Sequence, residues 1–180
     1  MSNSAVSDRR PWGAELFKLE EDKMKWTILN FGKHVGRTLP QIVLSDPNWF
    51  FWAHRKRIFC DRLAIEAKSL AARATHIRIP KPHRKGWQVE YRWDREGRFL
   101  GFDFVKAKGP FHHPLFNRLP HLDLAYIRRG SVHDKRDCRQ LIRDFRCLYF
   151  ESLNLTKRRC EEFFENELNF TKWCRGSMLS

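Results

Sequence analysis

Long apolar runs are missing from this chain. No stretch approaches the roughly 18 consecutive apolar residues of a membrane-crossing helix, so none is expected. The opening Met-Ser-Asn-Ser-Ala-Val-Ser-Asp-Arg-Arg is polar and lacks an apolar signal core. Cysteine is sparse: Cys60, Cys138, Cys147, Cys160 and Cys174 are odd in number and form no Cys-x-x-Cys pair. That argues against a disulfide framework and against a zinc ribbon, and for reduced thiols in a cytoplasm. Internal repeats and low-complexity segments are absent. Acidic residues are scarce too, 21 against 35 basic ones. Few of them lie within the basic blocks, so a two-metal phosphodiester site is not expected.

What is abundant is positive charge and aromatic side chains. The net charge is +14 and the isoelectric point about 10.0. A field of that size favours a polyanionic partner, most simply nucleic acid. Hydrophobic residues make up 42%, with 15 Phe and 7 Trp, enough for a core and inconsistent with disorder. At 180 residues the chain is one ordinary domain or two small ones. Charge is not spread evenly. Residues 1–26 carry five basic and five acidic groups, and 147–180 carry the same balance. Residues 47–93 carry eleven basic and three acidic groups, and 128–146 carry seven and three. Two internal basic blocks read as a binding footprint, whereas a solubilising charge would be dispersed.

Hydrophobic periodicity divides the chain into parts. Residues 1–12 read as a flexible arm and 13–26 as a short helix. Residues 27–31 read as a strand leading into a Gly turn. Asp46-Pro47 opens a helix running to about Ile58, Asp capping it and Pro suiting its first position. Asp61 can cap a second helix, with Leu63, Ala67, Leu70, Ala71 and Ala74 on one face. The period then changes to two. Trp87, Val89, Tyr91 and Trp93 alternate with Gln88, Glu90 and Arg92, and Asp94-Arg-Glu-Gly97 turns into a strand from Phe99 to Lys106. With 76–80 before it, this predicts a two- or three-stranded antiparallel meander. Residues 107–130 read as an irregular connection. A capping box at 131–134 opens a helix burying Cys138, Leu141, Ile142, Phe145, Leu148 and Tyr149. Asn154 can cap a last helix, with Cys160, Phe163, Phe164 and Leu168 inward. The fold class expected is α+β: a strand-turn-helix module, an antiparallel meander and C-terminal helices.

The most specific stretch is 27–52. It contains Phe31-Gly-Lys-His-Val-Gly-Arg-Thr-Leu39, then a Pro-opened helix with Trp49 and Trp52. The two glycines permit positive φ and a tight loop carrying Lys33, His34 and Arg37, a loop able to hold a phosphate. This pattern resembles the small domain at the C-terminal end of exodeoxyribonuclease X-like proteins, found also alone in bacterial and phage proteins. Phe31, Gly32, Lys33, Gly36, Arg37, Thr38, Leu39 and Trp52 fit the pattern, with Arg37 for the commoner Lys and Trp49 for the usual Tyr. Pro40 departs from the family's acidic helix start. The resemblance implies a nucleic-acid-associated module over 13–75, followed by the meander and helices over 76–180. The exonuclease's catalytic acids lie in a domain this chain lacks, so the resemblance implies a binding accessory and carries no catalytic residue over.

Three further groups of cations complete the expected footprint. Arg55, Lys56 and Arg57 end the helix after the Gly turn. Arg78, Lys81, Arg84 and Lys85 lie on a proline-stiffened hairpin loop beside Trp87 and Tyr91, aromatics better suited to the core than to base stacking. Arg136, Arg139, Arg143 and Arg146 fall within an arc of about 80° on one helix, opposite its apolar stripe. Bidentate guanidinium groups of fixed charge suit a phosphate backbone. His112, His113 and His121 match no metal-site spacing, and neither a metal nor a cofactor is expected.

The reading is a nucleic-acid-binding accessory protein or a subunit of a nucleoprotein complex, for DNA or RNA, without a catalytic residue. Glu161, Glu162, Glu165 and Glu167 could dock a basic protein partner. Two alternatives stand beside it. A metal-dependent nuclease could use Glu90 and Asp103 across the meander, near Lys106. An adaptor or inhibitor could set the basic face on an acidic protein surface.

Overall fold

A computed structural model describes residues 26–81, 83, 85–109, 117–129 and 135–171. The arm at 1–12, most of the helix expected over 13–26 and the capping box at 131–134 lie outside these residues. The fold is α+β, with five α-helices and one three-stranded antiparallel sheet among the described residues. The helices are α1 (Leu39–Val43), α2 (Pro47–Arg55), α3 (Asp61–Ala74), α4 (Lys135–Phe150) and α5 (Lys157–Glu165). The strands are β1 (Trp87–Trp93), β2 (Phe99–Lys106) and β3 (Asn117–Leu119).

Local chemistry accounts for the helix starts. Thr38 and Gln41 form a reciprocal capping box at α1, and Pro40 fits its first turn, where a missing N–H costs nothing. Asp46 caps α2 by accepting the Trp49 N–H at 3.1 Å, with Pro47 first in the helix. The helix stops at Arg55, short of Ile58, because Arg57 turns to a positive φ of 54°. Asp61 is the first residue of α3 and supplies no cap; Cys60 precedes it without a side-chain bond. Thr156, and not Asn154, caps α5, accepting the Arg159 N–H at 3.3 Å.

The alternation over 87–93 gives the central strand, for the sheet order is β2-β1-β3. Val89 pairs with Phe104 and Tyr91 with Phe102. Tyr91 is fully buried; its hydroxyl accepts the Asp123 N–H at 2.7 Å and donates to the Asp123 carbonyl at 3.2 Å. The third strand comes from 117–119, inside the expected irregular connection, and not from 76–80. In that segment Ile77 makes isolated bridges to Leu122 and Phe170. The strand expected at 27–31 reduces to one bridge between Ile28 and Thr38.

One hydrophobic core joins all these parts. Phe50 of α2, Phe145 of α4 and Phe164 of α5 are fully buried, each contributing about 1.5–3 kcal/mol by leaving water. Phe145 meets Phe163 with ring centroids 5.6 Å apart, and Tyr149 meets Phe104 of β2 at 6.2 Å. The expected inward positions Leu148 and Leu168 are exposed instead, each near the end of its helical segment. Trp52 is exposed too, because α2 buries its opposite side through Phe50, Phe51 and Ala53. Among the described residues no helix is long and apolar enough to cross a membrane.

Candidate nucleic-acid interface

The Gly turn is a closed loop. The Leu29 N–H donates to the Arg37 carbonyl and the Gly36 N–H to the Leu29 carbonyl, both at 2.8 Å. Gly32 and Gly36 adopt φ values of 67° and 83°, a region that costs other residues about 1–2 kcal/mol. An added Cβ at Gly32 would lie 3.6 Å from the Trp49 ring, an ordinary contact, so the positive φ alone favours glycine there.

Asp46 ties this loop to the helix. One of its carboxylate oxygens caps α2, and the other accepts from Lys33 Nζ at 2.5 Å and faces His34 Nε2 at 3.1 Å. Burial raises the Asp46 carboxyl, but the bonds from Lys33 and the Trp49 N–H outweigh it and hold it below its ordinary value of 3.8. Burial pulls the His34 imidazole below 6.5, against the opposing pull of Asp46. At neutral pH His34 is therefore a neutral, nearly buried ring. It packs edge-on against Trp49 at 4.8 Å, and Trp49 meets Phe59 at 6.1 Å. Two of the three turn residues expected to grip a phosphate are thus engaged inside the protein: Lys33 is ion-paired and His34 is structural. Arg37 is exposed, with one long contact to Ser45 Oγ at 3.4 Å.

Beside this loop lies a groove of about 770 Å³. Lys33 and Arg37 enter it from the turn, Trp49 and Trp52 from α2, and Arg128 and Arg139 from the later part of the chain. Arg128 is held in place by both the backbone carbonyl of Asn48, at 2.6 Å, and that residue's side-chain oxygen. Burial and the nearby Arg55 lower its pKa below the ordinary guanidinium value. Asp46 is the one carboxylate among the described lining residues, and Lys33 already occupies it. The groove is therefore cationic with an aromatic wall.

The other expected residues fall in different places. Arg55, Lys56 and Arg57 are exposed at the end of α2, and Arg55 extends the cationic rim toward Arg128. Arg78 and Lys81 line a separate groove of about 410 Å³ with Tyr149, Phe150 and Arg159. There Arg78 donates to the Phe170 carbonyl at 2.8 Å, and Arg159 covers the Phe150 ring at 5.6 Å. Lys85 is exposed, and Arg84 lies outside the described residues. The α4 stripe is divided. Arg136, Arg139 and Arg143 are exposed, but Arg146 is half-buried. Its guanidinium donates to the Leu44 carbonyl at 2.7 Å and the Leu153 carbonyl at 3.0 Å. Arg146 is thus a clamp between α4 and the segments after α1 and α4, and not a phosphate contact. The sequence-based list lacked Arg128 and Trp52. Arg128 had no motif to mark it. Trp52 stood out in the sequence only as part of the 27–52 pattern.

Glu90 and Asp103 are directly paired across the strands, as the alternation implies. Their side chains do not converge on a metal. Glu90 is buried against Arg118, Oε2 to Nε at 2.7 Å, while Asp103 is exposed beside Arg92 at 4.0 Å. Among the described residues no three His, Cys, Asp or Glu side chains cluster as a metal site. His121 stacks on His76 at 4.5 Å, and His112 and His113 lie outside the described residues. The glutamates of α5 and the turn after it face partners in this chain. Glu162 pairs with Arg158 at 2.6 Å, Glu165 accepts from Trp26 at 3.1 Å, and Glu161 and Glu167 lie within 4.0 Å of Lys157 and Arg73. In comparisons with known proteins, no family model, no curated protein and no solved structure matches this chain.

Proposed function

We propose that this chain is a nucleic-acid-binding accessory protein or a subunit of a nucleoprotein complex, holding phosphates in the groove beside the Gly turn. One observation carries the reading. Arg37, Arg128 and Arg139 come from three separate segments and line a single groove in which Asp46, the one carboxylate among the described lining residues, is already paired with Lys33. Converging cations in a concave surface focus positive potential where a phosphate would sit, and a net charge of +14 adds long-range attraction. Arg55, Lys56 and Arg57 extend this surface along the end of α2. The resemblance of 27–52 to the exodeoxyribonuclease X-like module belongs to the same proposal, with the Gly turn acting as a phosphate-facing loop.

Charge reversal in the groove tests it. Arg37→Glu combined with Arg139→Glu should weaken binding to DNA and RNA of mixed sequence at least tenfold, in a variant that still unfolds cooperatively. Unchanged binding would remove the groove from the interface. Tight binding to an acidic protein with none to nucleic acid would replace the reading by the adaptor alternative.

A further inference from the structure

Trp52 is the aromatic group in the groove with nothing to do inside the fold. It is 38% exposed. Its ring meets no aromatic ring or cation among the described residues, and its indole N–H has no acceptor there. Other tryptophans of the chain differ. Trp49 packs on His34 and Phe59, Trp87 on His83, and Trp93 on Phe99 and Tyr126. Its backbone is held firmly all the same, for it sits on α2, whose flanking Phe51 and Ala53 are buried in the core. The groove it lines is within the range of small-molecule sites, roughly 300–1,000 Å³, with Arg37, Arg128 and Arg139 around it.

We infer that this groove takes an unpaired nucleotide, its base stacked on Trp52 and its phosphate held by the surrounding arginines. The inference rests on the nucleic-acid reading and specifies its substrate: single strands, overhangs or loops, and not the interior of a duplex. The reason is geometric. In a duplex both faces of a base are covered by its neighbours, so a ring on a groove wall has no π-face to meet. A single strand offers that face in every sequence, and guanidinium groups follow its backbone. The pre-fixed Arg128 and the helix-borne Trp52 lower the cost of ordering on binding.

The test uses the full chain and three probes of one mixed sequence: single-stranded DNA, single-stranded RNA and blunt duplex DNA. Single strands should bind at least tenfold more tightly than the duplex. Trp52→Ala should weaken single-strand binding about tenfold and leave duplex binding unchanged, as expected for loss of one stacked base. Trp52→Phe should retain most of the affinity. Trp52→Leu keeps apolar bulk without a π-face and should behave like Trp52→Ala, which separates stacking from packing if the alanine variant is poorly folded. Preference for DNA over RNA or the reverse identifies which strand the groove takes, and either supports the inference. Equal or tighter duplex binding, or wild-type single-strand binding by both Trp52→Ala and Trp52→Leu, overturns it while leaving the broader reading intact. No binding to any probe overturns both.

Discussion

Asp46 carries three donors at once: the Trp49 N–H, Lys33 and His34. Its capping role was legible from the Asp-Pro pair, but its hold on Lys33 and His34 was not, because that depends on how the Gly turn folds back. The histidines give a pH signature. Burial lowers the pKa of both His34 and His54 below 6.5. Below that value the unfolded chain takes up protons that the folded protein resists. Their contribution to stability is therefore complete above about pH 6.5 and lost as pH falls through the lowered folded values. Urea midpoints should drop from about pH 7.5 to about pH 5.5, and less steeply in a His34→Gln, His54→Gln double variant. A midpoint that rises on acidification in this range would contradict the assignment. The Glu90–Arg118 pair makes a second test. Both side chains are only 4% exposed. Glu90→Ala leaves a buried guanidinium without its carboxylate and should cost about 3–5 kcal/mol in chemical denaturation. A loss below about 1 kcal/mol would mean that Glu90 is not a structural residue.

Among the elements, α4 shows how far a helical wheel reaches. The wheel correctly placed Cys138, Leu141, Ile142 and Phe145 in the core and the arginines on the other side. It could not show that Arg146 would meet the Leu44 carbonyl, a partner 102 residues away in the chain. The helix start was readable where Asp and Pro stood together, at α2, whereas the Thr caps of α1 and α5 were not. Strands β1 and β2 were readable from seven and eight residues of strand character. The three residues of β3 carry too little pattern to be seen, and their pairing is imposed by β1. The division of the arginine stripe is testable. Arg146→Ala should lower stability by about 1–3 kcal/mol by leaving buried carbonyls unpaired, with little change in the salt dependence of nucleic-acid binding. Arg139→Ala with Arg143→Ala should reduce that dependence by up to about two contacts. Identical effects of the two changes would show that the stripe acts as one unit.

Across the whole molecule, the basic blocks were visible in the sequence, but their convergence was not. Lys33 and Arg139 are more than 100 residues apart, and the fold brings them to one groove because α2 packs against both the Gly turn and the later chain. Arg78 and Lys81, grouped with them by charge alone, line another groove. The excess charge of +14 makes the central claim measurable without any variant. The direct test is the affinity for nucleic acid across a salt titration. A phosphate-binding groove predicts a linear fall of log K with log salt, with a slope of about −0.7 per phosphate contact on single strands, or about −2 for Arg37, Arg128 and Arg139. A flat line, or no binding at low salt, would contradict it.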